Sequence, residues 1–462
     1  MVFIIMSKMI KRQLRKILTF LHIPIKNRVF ILTFQSEPNY GQQLQNFSLS
    51  EKIKELGFHP KTIRWWRSYY EDLGIRNHNL MPFRRKYIFS TGPVFTEKEL
   101  RAVMREGNKI IIGGDQVFRL FQSKLEYLSG LRFAGDFVYG KKVLASYAAS
   151  FGRDTFRTDE YITEECRKLL RRFDRLSVRE KSGVDILRNV FGVDAVEVLD
   201  PVFLLNQEQY DRIIKDYKNL KVHNTDYIAY ACVDAKTWYT EIDKVLARTL
   251  SGEHVINIMK NEDVNGHMNT VEQWLYDIKH AKLVITNSFH AAAFSIIFKV
   301  PFLVVSRDEG GNSRFETLLG NFNLSHCWRE NINDITTDDL NMEIDWENVQ
   351  NILDKLRHTS EEFLKSALYL RPTYKRPYVN LPLRRIRKKY EKAYLLRLKS
   401  RELEIQAQDS IHLRIKLKHR IIRMIIKYLV SKRRYKELKT NPDMFFRNTN
   451  SGFIRFLGLY YI

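Results

Sequence analysis

Cysteine is scarce in this sequence. Its 462 residues include only Cys166, Cys232 and Cys327, which lie far apart and without any CxxC spacing. This pattern argues against a disulfide framework or a zinc-binding cysteine cluster and favours a reducing compartment. No apolar stretch approaches the roughly 20 residues needed to cross a bilayer, and the start VFIIM precedes its charges, the reverse of a secretory signal. We therefore expect a cytoplasmic protein.

Acidic residues are missing from one end of the chain and sparse at the other. Residues 1–30 contain seven Lys or Arg and no acid, and residues 375–462 contain 24 basic and six acidic residues. Because the formal net charge of the whole chain is +24, residues 31–374 carry a net charge of −1. The sequence therefore predicts a nearly neutral body with basic ends. No specific nucleic-acid partner is expected, since no reading motif is present.

Both basic ends mix Ile, Leu and Tyr with Lys and Arg at spacings typical of amphipathic helices. We predict a basic amphipathic segment over residues 1–26 and a basic helical tail over residues 375–462. One hypothesis is attachment to an anionic membrane surface, at the inner face of the plasma membrane, through residues 1–24 and 384–435. Each Lys or Arg next to a membrane contributes roughly 1 kcal/mol. The alternative is that these helices pack on the body with their charges in solvent.

Between the ends, short apolar runs alternate with helical stretches, which is typical of an α/β fold. A first series of predicted strands is NRVFILTF, KIIIGG, KKVLASYAAS, RLSVR and AVEVLD. After a polar spacer near residues 206–225, a second series is DYIAYACV, HVINIM, KLVITN and PFLVV. Two such series predict two Rossmann-like domains that face each other across a cleft.

The domain boundaries follow from these series. We place the N-terminal Rossmann-like domain over residues 27–210, the C-terminal one over residues 211–345, and one or two closing helices over residues 346–374. A chain of this length usually forms roughly two or three domains.

Polar side chains gather where the predicted strands end. In open parallel sheets, ligands bind outside the carboxyl ends of the strands, so these positions define a candidate site. They are Asn39-Tyr40-Gly41, Gly113-Gly114-Asp115-Gln116, Ser150-Phe151-Gly152, Arg179-Glu180-Lys181 and Asn287-Ser288-Phe289-His290. An arginine offers a planar fork for a carboxylate or phosphate, and glycines let backbone N–H groups approach a ligand. The residues alone predict a site for a phosphorylated or carboxylated ligand.

Each of these residues also has a simpler interpretation. The paired glycines match neither GxGxxG nor a Walker loop and fit ordinary turns. Arg179 alone fits a surface ion pair with Glu180 or Asp174, and His290 alone fits a histidine at a helix start. Their joint placement at strand ends favours the functional interpretation.

Seven motifs occur in a fixed order between residues 27 and 345: NYGQQLQNFSLSEKIKELGF, IIGGDQVF, ASYAASFG, LSVREKSGVDIL, VLDPVFLL, ITNSFHAAAFSIIFKVPFLVV and NSRFETLL. Together they resemble the polysaccharide pyruvyl transferase family. The resemblance implies a fold similar to the two-domain GT-B glycosyltransferases. It also implies transfer of the enolpyruvyl group of phosphoenolpyruvate to a sugar of a cell-surface polysaccharide precursor, forming a pyruvate ketal. Phosphoenolpyruvate is then a co-substrate, with no cofactor or metal, and the acceptor is expected to be a lipid-linked oligosaccharide.

The resemblance also assigns roles to residues. The family's acid in its GGD motif matches Asp115, the arginine of its SVR motif matches Arg179, and its histidine after the second-domain strand matches His290. We expect His290 to act as general acid and Asp115 as a base or orienting group for the acceptor. We expect the substrates to be bound by Asn39, Gly41, Gln116, Arg179, Asn287, Ser288 and Arg314.

The sequence departs from the family pattern beside this histidine. Ser288 stands where many members carry an arginine, Ala291 replaces the usual glycine, and Asn287 replaces a common acid. Losing one cation weakens binding of phosphoenolpyruvate unless a nearby cation compensates, for which the candidates are Arg314, Arg119 and Lys181. Two other functions therefore stay open. One is a GT-B-like glycosyltransferase that uses a nucleotide-sugar, and the other is a non-catalytic family member that acts as a binding protein.

Overall fold

The computed structural model describes residues 26–34, 39–65, 80–94, 96–119, 127–232, 252–259, 269–306 and 312–377, with the single residues 245, 248, 389 and 396. The predicted basic segments over residues 1–26 and 375–462 lie outside the described residues, apart from the few positions just given. The same holds for most of the helix that WYTEIDKVLARTL predicts. Among the described helices, none combines the length and the apolar character that a bilayer crossing requires.

The first sheet has five parallel strands in the order β3-β2-β1-β4-β5. They are β1 (Arg28–Leu32), β2 (His59–Trp65), β3 (Ser90–Val94), β4 (Lys109–Gly113) and β5 (Val143–Tyr147). The accompanying helices are α1 (Tyr40–Glu55), α2 (Met81–Tyr87), α3 (Glu97–Val103) and α4 (Tyr127–Phe133), with a 3₁₀ turn over Met104–Glu106. This strand order is that of a Rossmann fold.

A short two-stranded parallel sheet extends the first sheet. Its strands are β6 (Ser177–Val178) and β7 (Val196–Glu197), and isolated bridges from β5 and the residues after it to Arg175 and Val178 place β6 beside β5. The neighbouring helices are α5 (Glu160–Leu170) and α6 (Lys181–Asn189), followed by a 3₁₀ turn over Pro201–Leu204 and by α7 (Gln207–Lys215). Helix α7 corrects the prediction of a polar spacer near residues 206–225. Its polar sequence QEQYDRIIK buries only one stripe, Tyr210, Ile213 and Ile214.

The second sheet is also parallel throughout, in the order β12-β11-β10-β8-β9. Its strands are β8 (Ile228–Ala231), β9 (Val255–Asn257), β10 (Leu283–Thr286), β11 (Phe302–Val305) and β12 (Trp328–Arg329). Its helices are α8 (Val271–Lys279), α9 (Phe289–Phe298) and α10 (Ser313–Asn321), with 3₁₀ turns over Ser325–Cys327, Ile332–Asp334 and Thr337–Asn341. If the five strands of this sheet are renumbered 1 to 5 along the chain, their order is 2-1-3-4-5, as in flavodoxin-like folds. The predicted pair of Rossmann-like domains is confirmed.

Helix α1 joins the two halves. Asn39 caps its first turn by accepting a hydrogen bond from the Gln42 N–H at 3.1 Å. The helix is buried on nearly every side, because residues of both halves pack against it. The Tyr40 ring stacks on the Trp274 ring at 4.9 Å, and the Ser48 hydroxyl lies 2.7 Å from the Tyr210 hydroxyl. One continuous hydrophobic core therefore holds the first turn of α1 against the second sheet's helices.

A long helix, α11 (Trp346–Leu368), runs back across the first half. Phe363 packs near Tyr147 of β5, and the Ser360 hydroxyl accepts a hydrogen bond from the Leu199 N–H at 3.0 Å. This helix of 23 residues lies within the stretch 346–374, where one or two closing helices were predicted.

Candidate active site

Asp115 stands two residues beyond the end of β4, where two glycines bend the chain. Gly114 has a φ of +96°, and a Cβ on Gly113 would lie 1.9 Å from the Tyr147 carbonyl oxygen. Glycine is therefore required for β4 to approach β5 and then turn. The turn leaves the Asp115 carboxylate buried, with Oδ1 2.9 Å from Arg179 Nη2 and 3.5 Å from Arg314 Nη1.

Arg179, directly after β6, is buried among three carboxylates. Its guanidinium donates to Asp115 at 2.9 Å, to Asp200 at 2.8 Å and to Glu180 at 3.0 and 3.1 Å. The face of the guanidinium lies 4.1 Å from the centre of the Phe289 ring. The sequence left open whether Arg179 forms a surface ion pair with Glu180. The two residues do form an ion pair, but both are buried. The arginine holds Asp115 and Asp200 in fixed positions.

The network shifts the acid–base properties of its members. Burial alone raises the pKa of Asp115, but the positive charges of Arg179, Arg314 and His290 outweigh burial and bring this pKa below its usual value. Burial also opposes the charged form of Asp200, yet His290 and Arg179 lower the pKa of Asp200 to about 2. Both carboxyl groups are therefore ionised at neutral pH and can stabilise a positive charge.

His290 lies in the first turn of α9, after β10 of the second sheet. Its Nε2 is 3.6 Å from Asp200 Oδ2, longer than an ordinary hydrogen bond, so the contact is electrostatic. The opposite domain touches the ring too: a Cβ on Gly41 in α1 would lie 1.9 Å from Nδ1 of His290. The imidazole is thus enclosed between the two halves and is only 5% exposed.

Gly41→Ala tests this enclosure. The added methyl group has no room, so the imidazole or helix α1 must shift, and we expect stability to fall by about 1–3 kcal/mol as for other overpacked sites. Chemical denaturation measures this loss, and the ring signals of His290 in NMR spectra report the displacement. Gly92→Ala is the control, because a Cβ there meets nothing within 4 Å. Equal stability of the two variants would mean that α1 does not press on His290.

A cavity of about 260 Å³ adjoins the cluster. The cavity wall includes residues that also contact members of the cluster, namely Arg179, Asp200, Phe289 and Arg314. Polar and apolar residues of α10 and α11 form the rest of the wall, including Thr317, Asn321, Thr359 and Ser360. A small polar ligand can therefore lie against both guanidinium groups.

The other residues predicted to bind substrate take different positions. Asn39 uses its side-chain oxygen as the cap of α1, and Gln116, with a φ of +53°, accepts a hydrogen bond from Arg119 at 2.7 Å. Asn287 is buried at the end of β10, and the Ser288 N–H donates to Thr286 Oγ1 at 2.8 Å. Their proposed role in binding stays a prediction.

Arg314, Arg119 and Lys181 were considered as substitutes for the arginine that Ser288 replaces, and they occupy different environments in the structure. Arg314 enters the cluster through Asp115. Arg119 and Lys181 are exposed. The structure therefore makes Arg314 the candidate that fits best.

Asp200 is the main residue that the sequence interpretation missed. It precedes Pro201, so it reads as a turn residue, and it does cap the 3₁₀ turn by accepting from the Val202 N–H at 3.1 Å. Its position just after β7 was the available signal, since the strand-end rule applies there as well. Gln45 of α1 was also missed, although its Oε1 accepts the Asp115 N–H at 3.0 Å. Across the described residues, no group of three or more His, Cys, Asp or Glu is arranged to hold a metal ion.

Comparison with known proteins identifies a family. Residues 39–309, more than half of the chain, match the family model described as polysaccharide pyruvyl transferase. No curated protein matches the sequence.

Solved structures with a similar fold include glycosyltransferases. UGT89C1 of Arabidopsis thaliana, complexed with UDP-L-rhamnose, is 8% identical, with 75% of this chain and 100% of that chain covered and a TM-score of 0.44. A glycosyltransferase of Rickettsia africae is 10% identical, with coverage of 74% and 96% and a TM-score of 0.43. SnogD of Streptomyces nogalater is 9% identical, with coverage of 74% and 99% and a TM-score of 0.39. At these identities the likeness is one of fold alone.

Proposed function

This chain belongs to the polysaccharide pyruvyl transferase family, and from that membership we propose that it transfers the enolpyruvyl group of phosphoenolpyruvate to a sugar of a cell-surface polysaccharide precursor. The observation that carries the proposal is the buried cluster of Asp115, Arg179, His290 and Arg314 at the strand ends of both sheets. It combines a proton donor, carboxylates and guanidinium groups at one place. These are the groups that an enol phosphate and a sugar diol require.

The proposed reaction has two stages. His290 donates a proton to the methylene carbon of phosphoenolpyruvate, the neighbouring carbon becomes oxocarbenium-like, and one sugar hydroxyl adds to that carbon as its proton passes to a carboxylate. The bond from this carbon to the phosphate oxygen then breaks, and the second hydroxyl adds and loses its proton. The products are a methyl-bearing ketal and inorganic phosphate, and the two hydroxyl protons balance those gained by the methyl group and the phosphate.

The geometry suggests how roles are divided. Since Arg179 is bonded to three carboxylates, we propose that it positions Asp115 and Asp200, while Arg314 supplies the cation that the donor meets first. We propose that His290 acts as the proton donor beside Asp200, whose Oδ2 lies 3.6 Å from its Nε2. We assign the anionic groups of the donor to the adjacent cavity, where both arginines are available.

The cavity also bears on the alternative donor. Pockets that enclose drug-sized ligands measure roughly 300–1,000 Å³. A nucleotide-sugar is at least as large as such a ligand and needs a pocket in that range. A cavity of about 260 Å³ fits a three-carbon phosphate better. We therefore favour phosphoenolpyruvate over a nucleotide-sugar as the donor.

Thermal-shift measurements on the full chain test the donor. A ligand at a hundred times its dissociation constant stabilises the folded state by about 2.7 kcal/mol, so phosphoenolpyruvate is expected to raise the melting temperature and UDP-sugars are not. Sulfate is the control for a general anion effect. Stabilisation by UDP-sugars alone would indicate the glycosyltransferase function, and no response to any ligand would indicate a non-catalytic binding protein.

The predicted acceptor and location remain part of the proposal. A lipid-linked oligosaccharide presented at the inner face of the plasma membrane would suit an enzyme with two basic ends. Flotation of the full chain with vesicles at low and high salt checks this, and absence from phosphatidylglycerol vesicles at low salt would contradict it.

A further inference from the structure

A second cavity lies at the opposite edge of the first sheet. It measures about 760 Å³, and its wall includes Asn27, Asn108 and Lys142, the residues that immediately precede β1, β4 and β5. All of these strands are parallel, so the cavity lies at their amino ends, whereas Asp115 follows the carboxyl end of β4. At about 3.3 Å per residue, the two sites are roughly 20 Å apart along that strand.

The cavity wall is strongly basic. Among the described residues, it contains Lys26, Arg105, Lys109, Lys142 and Arg371, and one acid, Glu106. That acid is already engaged, because both of its carboxylate oxygens accept hydrogen bonds from the buried Lys61, at 2.7 and 3.0 Å. The cavity therefore has a large excess of positive charge.

The two inner lysines bind only neutral oxygens among the described residues. Lys109 donates to the Leu370 carbonyl at 2.5 Å, and Lys142 donates to the carbonyls of Met104, at 2.6 Å, and Gly107. The Lys109 side chain is buried and that of Lys142 is half-buried, and this burial lowers the pKa of Lys109 and lowers that of Lys142 to about 8. A buried cation without a counter-charge is unfavourable, and an anion in the cavity would offset that cost.

The cavity also lies where both basic ends join the body. Lys26 closes the N-terminal stretch in which no acid occurs, and Arg371 and Pro372 lead toward the basic tail. Arg376 stays at the same edge, since its backbone N–H and carbonyl pair with those of Gly140 at 3.0 Å. The positive charge of both ends thus begins at this cavity.

We propose that this cavity binds a phosphate group, separately from the cluster at the opposite edge of the sheet. Arg105 and Arg371 at the rim supply planar forks that bind phosphate oxygens in pairs, and Lys109 and Lys142 supply point charges deeper inside. The cavity has room for an organic group attached to the phosphate. The phosphate belongs either to a soluble phosphate ester or to the headgroup of an anionic phospholipid.

The test uses the full chain with Arg105→Glu and Arg371→Glu combined. Both side chains are exposed, so the fold should tolerate the change. The matched control is Lys215→Glu with Lys218→Glu, which alters the charge equally at exposed positions outside the cavity. Calorimetric titration with inorganic pyrophosphate and with glycerol 1-phosphate probes the soluble source. Co-sedimentation with vesicles of phosphatidylglycerol and phosphatidylcholine, against phosphatidylcholine alone, probes the lipid source.

Two results support the proposal. If the source is soluble, the cavity variant binds pyrophosphate or glycerol 1-phosphate at least about tenfold more weakly than the wild type and the control. If the source is a lipid, the variant binds phosphatidylglycerol vesicles roughly 30-fold more weakly, and the control retains most of its binding. Equal weakening in both variants on vesicles, with no difference for the soluble phosphates, overturns it. Phosphate release from phosphoenolpyruvate is measured in parallel, so a failed donor assignment is recognised separately.

Discussion

Arg179→Met is expected to lower the free energy of unfolding by about 3–5 kcal/mol, the usual consequence of removing one partner from a buried ion pair. The Arg179 side chain is only 2% exposed, and it is bonded to Asp115, Glu180 and Asp200. Methionine fills a similar volume and can still pack on Phe289, so the loss reports the charge and not a void. Three buried carboxylates then lose the guanidinium that joins them, and Arg314 remains 3.5 Å from Asp115.

The loss should depend on pH in a defined direction. In the wild type, the pKa of Asp115 is lowered and that of Asp200 falls to about 2. Their contribution to stability is therefore present above the unfolded pKa of about 3.9 and disappears as the pH falls toward the folded pKa. In the variant the same carboxyl groups lack their cation and have raised pKa values, so the stability deficit is largest near neutral pH and shrinks as the pH approaches about 4.

Urea denaturation at several pH values measures this, with Arg175→Met as the control. Arg175 is four residues upstream and exposed, and its guanidinium bonds only to the Asp174 carbonyl in the described contacts. A deficit of under about 1 kcal/mol for Arg179→Met at neutral pH, similar to that of an exposed pair, would contradict the buried network. The stability loss of Arg179→Lys should lie between those of Arg175→Met and Arg179→Met. An ammonium group keeps the charge but cannot donate to three carboxylates at once as the guanidinium does.

Much of the fold could be predicted because its strands are apolar runs. β1, β4, β10 and β11 are made almost wholly of such residues, as expected when both faces of a parallel sheet are covered. β2 was missed because HPKTIRW places Pro60 and Lys61 inside the strand, which argues against a central position. The buried charge of Lys61 is tolerated inside β2 because it pairs with Glu106, which is 45 residues further along the chain. No local pattern reveals a partner at that distance.

The same limit applies to the candidate site. The rule that ligands bind at the carboxyl ends of parallel strands brought Asp115, Arg179 and His290 into one hypothesis, and the structure places all three within one network. What the rule does not provide is which charges pair. The sequence offered Asp174 as a partner of Arg179, yet Asp174 accepts the Leu144 N–H and pairs with Arg376 instead. The aspartate that pairs with Arg179 is Asp200.

His290→Ala is expected to reduce turnover by roughly 10²- to 10⁴-fold, the usual contribution of a positioned proton donor. Binding of phosphoenolpyruvate should change little, because Arg314 and the adjacent cavity remain. The effect should therefore appear in kcat more than in KM. Phosphate release from phosphoenolpyruvate, with a panel of sugar acceptors, measures turnover, and thermal shift with phosphoenolpyruvate measures binding.

The controls separate proton transfer from structure. His280→Ala removes an exposed histidine at the end of α8 and should leave turnover unchanged. Asp200→Asn keeps an acceptor for the Arg179 N–H but removes the charge 3.6 Å from His290, so it should lower kcat and change the way kcat depends on pH. If His290→Ala kept full turnover, the proton would have to come from another group. If Asp200→Asn lowered kcat without moving the pH profile, Asp200 would hold Arg179 and would not act on His290.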